Sequence, residues 1–391
     1  MTSYDQDYGV PVTGDLPPAL HAATMRKSRL VLPSIEAMRA YPPGKPWRHV
    51  AKELGISEQE ILLLAANENV LGPSPHAVAA ATKMLAEAHL YPDGNCTVLK
   101  EAIAKKINVD AARLVIGNGS NEIIELLVRT FVGPDESVVS AWPSFVVYRL
   151  AAQAQGRDAI LSPLFRDRFD LPALAGLVDH RTKIVFIANP NNPTGTYVNK
   201  RELNAFLERI PPSVIVVLDE AYFEYATAPD YPNGLTDFPG RPRLVVLRTF
   251  SKAYALAGLR VGYGVMDPEL VDYIDRVRQP YNVSTVAQVA AIAAMEDEAH
   301  LAKSVALCAA GRIQLEEGLR KLGMGWVPSQ ANFVVVHTKI DGDRAQHEMK
   351  SHGILVRSMG AYAMPHSVRV TVGTLEMNVR VLAALAKLPT S

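Results

Sequence analysis

An α/β fold, a mostly parallel sheet covered by helices on both faces with a smaller α+β unit at the C-terminus, is what three observations on this chain predict. From about residue 66, apolar β-branched runs alternate with helical stretches, the order that builds a parallel sheet. Several of those runs hold unbroken apolar stretches, such as VIVVL and LVVL, as strands buried on both faces require. The chain is 391 residues long with 48% hydrophobic and 20% charged residues, enough to bury a large core and to divide into two domains.

Taken in order, residues 1–28 mix Pro, Gly, Asp and Tyr without periodicity and read as a flexible extension. An arm over residues 29–65 follows: the prolines of AYPPGKP, 40–46, favour an extended path, and WRHVAKELG, 47–55, has the spacing of a short amphipathic helix. The large domain is expected over 66–290. It has helical segments HAVAAATKMLAEA, TVLKEAIAKKI and NEIIELLVRTF, and strands SVVSAW, KIVFIAN, VIVVLDE and LVVLRTF. After PYNVSTVAQVAAIAAM, 280–295, helix continues to about Leu322. The small domain, 291–391, then adds the strands NFVVVHT and SVRVTVG.

Bulk properties exclude several function classes. Lys plus Arg equals Asp plus Glu at 40 each, so there is no net attraction for nucleic acid or an anionic membrane, and any anion site must be local. Cys96 and Cys308 are too few for a disulfide framework and lack metal-ligand spacing, so no metal is expected and a reducing, cytoplasmic setting is. The first residues lack the basic start and apolar core of a signal peptide, and no run reaches the length of a membrane span.

The chemistry concentrates in TFSKAYALAGLRVGYG, 249–264. Lys252 follows the buried strand LVVLRTF and so emerges at a strand's carboxyl end, where open α/β sheets place ligands. Desolvation there lowers an amine's pKa and makes its nucleophilic form accessible for imine formation, which points to pyridoxal phosphate. Thr249, Ser251 and Arg260 add two hydroxyls and a guanidinium, a set suited to a phosphate dianion. GNGSNEIIELLVRTF, 117–131, opens a helix whose amino-terminal Gly119, Ser120 and Asn121 can hold a phosphate, though Ser and Asn also serve as plain helix caps.

VIVVLDEAYFEY, 214–225, ends its strand in Asp219, placed to pair with a protonated pyridine nitrogen, with Tyr222 able to bond the ring's phenolic oxygen; a capping role for Asp219 is the alternative. KIVFIANPNNPTGT, 183–196, runs into a turn where Asn192 presents an amide to the same oxygen, or simply shapes the turn. In WPSFVVY, 142–148, Phe145 can stack on a planar ring or fill a core.

These motifs, in this order, resemble the fold-type I pyridoxal-phosphate aminotransferases of class I/II, and more closely the histidinol-phosphate aminotransferase family, over roughly residues 33–386. The resemblance implies that AYPPGKP is the substrate arm, with Tyr41 its tyrosine, and that Asn67, in LAANENVLGPSP, lies near the substrate. It implies that Tyr91, in LYPDGNCTVLK, reaches the cofactor phosphate of a neighbouring subunit, hence a homodimer with shared active sites. For the cofactor it implies Gly119, Ser120, Asn121, Thr249, Ser251 and Arg260 around the phosphate, Phe145 on the ring and Asn192 and Tyr222 at the phenolic oxygen. Asp219 would then meet the ring nitrogen and Lys252 the aldehyde carbon, with Lys252, Asp219 and Tyr222 the catalytic set.

Arg357, in GILVRSM, and Arg369, in SVRVTVGT, match arginines that hold the substrate's anionic group; read without the resemblance, both are surface charges on edge strands. One departure stands in ANFVVVHT, 331–338, where valines and His337 replace a phosphate-binding arginine of some family members. The implied activity is transamination of L-histidinol phosphate with 2-oxoglutarate. An aromatic amino-acid aminotransferase and a threonine-phosphate decarboxylase remain open on the same residues. A non-catalytic sensor is disfavoured by the complete set of proton-transfer groups.

Overall fold

Strands with apolar residues on both faces have to be covered on both faces, and the computed structural model, which describes residues 31–38 and 47–389, meets that demand with a seven-stranded sheet flanked by helices. In chain order the strands are β1 (Leu62–Leu63), β2 (Leu114–Gly117), β3 (Ser137–Trp142), β4 (Asp158–Pro163), β5 (Thr182–Ala188), β6 (Ile215–Asp219), β7 (Leu244–Thr249) and β8 (Gly262–Val265). Then come β9 (Trp326–Val327), β10 (Phe333–His337), β11 (Ile354–Leu355), β12 (Arg357–Ser358) and β13 (Ser367–Thr371). The main sheet runs β2-β8-β7-β6-β5-β3-β4. Its pairs are parallel except where β8 lies antiparallel between β2 and β7. AYPPGKP, with Tyr41, lies outside the described residues.

The long apolar strands fall where their pattern places them. β2, β4 and β8 carry no such pattern: β8 is four residues with two glycines, weak strand material on its own and a strand only because β2 and β7 flank it. The long helical stretch expected after residue 295 is the helix Glu298–Lys321, and a separate helix, Thr285–Glu296, precedes it. Asp297 stands between them, its carboxylate accepting from the His300 N–H as the cap of the second helix.

One core surrounds Val139, Ile184, Val216 and Val245 of the main sheet. Another lies around Phe333, Val334, Val368 and Leu319, under the antiparallel sheet β12-β13-β10-β9. Leu62 and Leu63 of β1 pair with Ile354 and Leu355 of β11 in a two-stranded sheet of their own, so the segment leading into Ala65–Asn67 is tied to the C-terminal part of the chain before it reaches the main sheet. That places residues 65–67 between the two sheets. Among the described residues no helix is long and apolar enough to cross a membrane, and both cysteines are free and buried.

Candidate active site

A cavity of about 1050 Å³ opens at the carboxyl ends of β5, β6 and β7. In register Ala188 faces Asp219 and Asp219 faces Leu247, so the ends of these three strands deliver Asn192, Asp219 and Thr249 to one place. Helix Ser120–Phe131 points its amino terminus at the same cavity, and Arg357 and Arg369 reach it from the antiparallel sheet.

Lys252 Nζ donates to the carbonyls of Ala66, at 3.3 Å, and Asn67, at 3.2 Å. Burial, aided by the positive charge of Arg369, lowers its pKa to about 8, so a substantial neutral fraction exists just above neutrality. The Asn67 Nδ2 donates to Tyr222 Oη at 3.0 Å, while Asn67 Oδ1 is buried with no partner among the described residues. Burial holds the Tyr222 phenol at about 12, which keeps it a hydroxyl donor at neutral pH.

Asp219 is buried beneath this group. Its Oδ1 accepts from the Ala221 N–H at 3.2 Å, and its Oδ2 accepts from Tyr148 Oη at 2.8 Å. It shapes the turn after β6 and also faces the cavity. Burial pushes its carboxyl up to about 6, opposed by the Tyr148 hydrogen bond. Its neighbour Glu220 points the other way and is consumed by Arg248, 2.8 Å away and equally buried. Tyr148 went unread in the sequence, although it stands three residues after Phe145 and helical spacing puts the two on one face. In the fold the rings meet edge to face at 5.6 Å.

Tyr148→Phe is expected to raise the Asp219 pKa further and to lower kcat about 10-fold or more at pH 7, the effect of losing a hydrogen bond to a charged group. A pH–rate profile checks it. An acid limb that stays where it is in the wild type would contradict the role.

The phosphate-type donors also converge. The helix Ser120–Phe131 begins after Gly119, which has φ +74° and supplies no side-chain cap, so Ser120 and Asn121 do not cap it either. Its first amides are therefore available to an anion. The φ of +74° and ψ of 165° at Gly119 are why the turn needs glycine, and a Cβ there would also push against Arg260 Nη2 at 2.5 Å. Thr249 Oγ1 and Ser251 Oγ are 3.0 Å apart, and Arg260 Nη1 lies 3.4 Å from Ser251 Oγ. Two hydroxyls, a guanidinium and an uncapped helix start, with a buried carboxylate and a depressed lysine in the same cavity, fit pyridoxal phosphate.

Arg369 is not on an edge: β13 lies between β12 and β10, and the residue is buried. Its Nη1 donates to Asn192 Oδ1 at 2.7 Å and its Nη2 to Ala65 O at 3.1 Å, which leaves the Asn192 Nδ2 as the donor turned to other use. Arg357 does stand on the edge strand β12, directly across from Arg369 in register. Tyr91 is 82% exposed, stacked on Tyr281 at 4.7 Å, and does not line the cavity. His337 sits two register positions beyond Val335, the residue opposite Arg369, and its Nδ1 pairs with Ser367 Oγ at 3.1 Å. It does not line the cavity.

A family model described as aminotransferase class I and II matches residues 59–385. The chain is 48% identical over 361 residues to a histidinol-phosphate aminotransferase of an Anaeromyxobacter species, covering 92% of this chain and 99% of that one. It is 45% identical to the histidinol-phosphate aminotransferase of Moorella thermoacetica, covering 94% of each. Among solved structures, it superposes on the histidinol-phosphate aminotransferase of Sinorhizobium meliloti in complex with pyridoxal-5'-phosphate. The TM-score is 0.82 at 27% identity, covering 93% of this chain and 98% of that one.

Proposed function

The chain belongs to the class I and II aminotransferase family, and from that membership we propose that it transfers the amino group of L-histidinol phosphate to 2-oxoglutarate. Imidazole acetol phosphate and L-glutamate are the products, in a cytoplasmic step of histidine biosynthesis. One observation carries the choice of substrate: Arg357 and Arg369 are cross-strand neighbours that both line the cavity holding Lys252. Two guanidiniums on one wall of a cavity can together hold an anion of more than one charge through charge-assisted hydrogen bonds. A phosphate ester supplies such a group; a single α-carboxylate needs only one of the two.

Pyridoxal phosphate, when bound, supplies an electron-poor ring that takes up the electron pair left at the substrate's α-carbon when its proton departs. Within this proposal Gly119, Ser120, Asn121, Thr249, Ser251 and Arg260 hold the phosphate. Phe145 packs on the ring, Asn192 and Tyr222 donate to the phenolic oxygen, and Asp219 balances the charge at the ring nitrogen. Lys252 would hold the aldehyde carbon, and its Nζ is the group placed to remove and return the substrate's α-proton. Asn67 keeps the Tyr222 hydroxyl in place, and Tyr41, outside the described residues, would be the substrate arm's tyrosine that the family resemblance implies.

A homodimer completes the reading. Tyr91 lies outside its own cavity beside exposed Leu85, Leu90 and Val98, an apolar face suited to a second copy, where Tyr91 would meet the partner's phosphate site. Sedimentation of the holoenzyme at the mass of one chain would remove this part. The division into a large domain of residues 66–290 and a C-terminal small domain of 291–391, with 29–65 the N-terminal arm and part of the small domain, is likewise part of the proposal.

The deciding measurement is kcat/KM for L-histidinol phosphate, L-phenylalanine and threonine phosphate with wild type, Arg357→Gln and Arg369→Gln. Arg357→Gln is expected to cost about 10- to 100-fold with histidinol phosphate, mostly in KM, and little with phenylalanine. Arg369→Gln lowers both. A wild-type preference for phenylalanine would replace this substrate by an aromatic amino acid.

A further inference from the structure

We infer that Asn332 is a positioning residue for the amine of Lys252: its side-chain amide pins the backbone carbonyl on which that amine rests, so that Nζ keeps one place beside the donor substrate. The inference rests on the reading of Lys252 as the group that moves the α-proton and goes beyond it. Asn332 stands immediately before β10, is buried, and does not line the cavity, so it acts through the segment Ala65–Asn67 that does. Its Nδ2 donates to Asn67 O at 3.0 Å and to Glu68 O at 3.4 Å. The Asn67 carbonyl also accepts from Lys252 Nζ, so the asparagine and the lysine meet on a single oxygen. Two carbonyls can only accept, which fixes the amino side of the Asn332 amide towards them. Its Oδ1 is left buried without a partner among the described residues. A half-satisfied amide weakens a core, so packing alone does not account for an asparagine here.

That carbonyl has to be held. Asn67 has φ +55°, in the left-handed region that residues with a Cβ avoid. Three side chains of the antiparallel sheet hold the segment there. Thr371, opposite Phe333 in register, accepts from the Asn67 N–H at 3.0 Å. Arg369, two residues earlier on the same strand, donates to Ala65 O, and Asn332 holds the carbonyl side of Asn67. With these peptides fixed, the carbonyls of Ala66 and Asn67 present a pair of acceptors to Nζ. When the Nζ lone pair takes up the α-proton, the amine becomes an ammonium, and hydrogen bonds to those oxygens favour that form until the proton is returned. The surrounding groups pull in both directions: burial, Arg369 and Arg260 disfavour the ammonium, Glu68 favours it, and the Tyr222 ring centroid lies 5.7 Å from Nζ. Against that balance the placement of two carbonyls decides how readily the charge forms.

The test reads the amine directly. In the cofactor-free full chain, Lys252 is acetylated with trace acetic anhydride over a pH series; only the neutral amine reacts, and the labelled peptide is quantified by mass spectrometry. Wild type is compared with Asn332→Leu, which keeps the bulk and drops the donor, and with Thr371→Val, which removes the acceptor on the other side of the same residue. The holoenzymes are compared by kcat and KM for L-glutamate and by the kinetic isotope effect with L-glutamate deuterated at its α-carbon.

The expected labelling midpoint is about 8 in wild type. It moves down by about half a pH unit or more in both variants, the size set by one lost hydrogen bond to a charged group. In Asn332→Leu holoenzyme kcat falls about 10-fold with KM within about twofold of wild type, and the isotope effect rises because proton movement becomes the slower step. Should one variant fail to fold, the other decides. A midpoint that stays within about 0.2 of a pH unit of wild type, or moves up, would overturn the inference, as would a fall in kcat with an unchanged isotope effect. Wild-type holoenzyme that does not transaminate glutamate would instead overturn the reading on which it stands, while the labelling, which needs neither cofactor nor substrate, still decides whether Asn332 places the amine.

Discussion

Lys252→Ala is expected to lower transamination by about 10⁴-fold or more, because one side chain holds the cofactor and moves the α-proton. Borohydride reduction followed by mass spectrometry provides a readout independent of turnover: the wild-type peptide around Lys252 gains the cofactor's mass and the variant's does not. Transamination at the wild-type rate by the variant would end the proposal.

Burial also gives Lys252 a second signature. Its pKa in the fold is about 8 against 10.5 for a free lysine, so between those values the unfolded chain holds the extra proton. Cofactor-free protein should therefore gain stability as pH rises from about 8 towards 10.5, and below about 8 it carries the full cost of a buried ammonium. Lys252→Met, which keeps the length and drops the charge, should be the more stable cofactor-free protein at pH 7 by thermal melting. The same experiment at pH 10.5 should show the difference largely gone.

Asp219→Ala is expected to reduce kcat/KM by about 10²- to 10³-fold, the range for removing a placed charge from a dry site. Its direction with pH is opposite to that of Lys252. A carboxyl pushed from 3.8 to about 6 binds its proton more tightly in the fold than in the unfolded chain. Stability of the cofactor-free protein therefore falls as pH rises from about 4 to about 6, and the cost is full above that. Asp219→Asn, which still accepts from Tyr148, should melt higher than wild type without cofactor at pH 7 and equally at pH 3.5. With cofactor the order reverses, because the wild-type carboxylate has a cationic partner at the ring nitrogen and the amide does not. Retention of cofactor by wild type should weaken as pH drops through about 6; retention that is flat from pH 5 to 8 would contradict the pairing. Lys252 and Asp219 are thus both held by the fold in states that only a ligand between them relieves.

How much was legible beforehand differs by residue. Runs such as LVVLRTF and VIVVLDE announce buried strands because their apolar stretches LVVL and VIVVL have few other places to go, and the polar residues at their carboxyl ends point to Thr249 and Asp219 as ligand-facing. β8 was not legible, since two glycines in four residues carry no strand preference and its pairing is supplied by neighbours distant in sequence. Tyr148 was missed for a similar reason: its function is a bond to a carboxylate 71 residues away, and no local pattern encodes such a distance.

By itself the sequence determined the strand-to-helix alternation and the residue types clustered at strand ends. Periodicity and burial preference act locally, and a lysine, a carboxylate and an amide at such ends restrict the chemistry. Only the tertiary structure decided between adjacent candidates. Asp219 faces the cavity while Glu220 is spent on Arg248, because alternate residues of a strand point to opposite faces. Arg369 is interior and opposite Arg357 because antiparallel register, set by the pairing of whole strands, chooses its neighbours. The same register carries His337 out of the cavity, although its position in the chain had marked it as the family's departure.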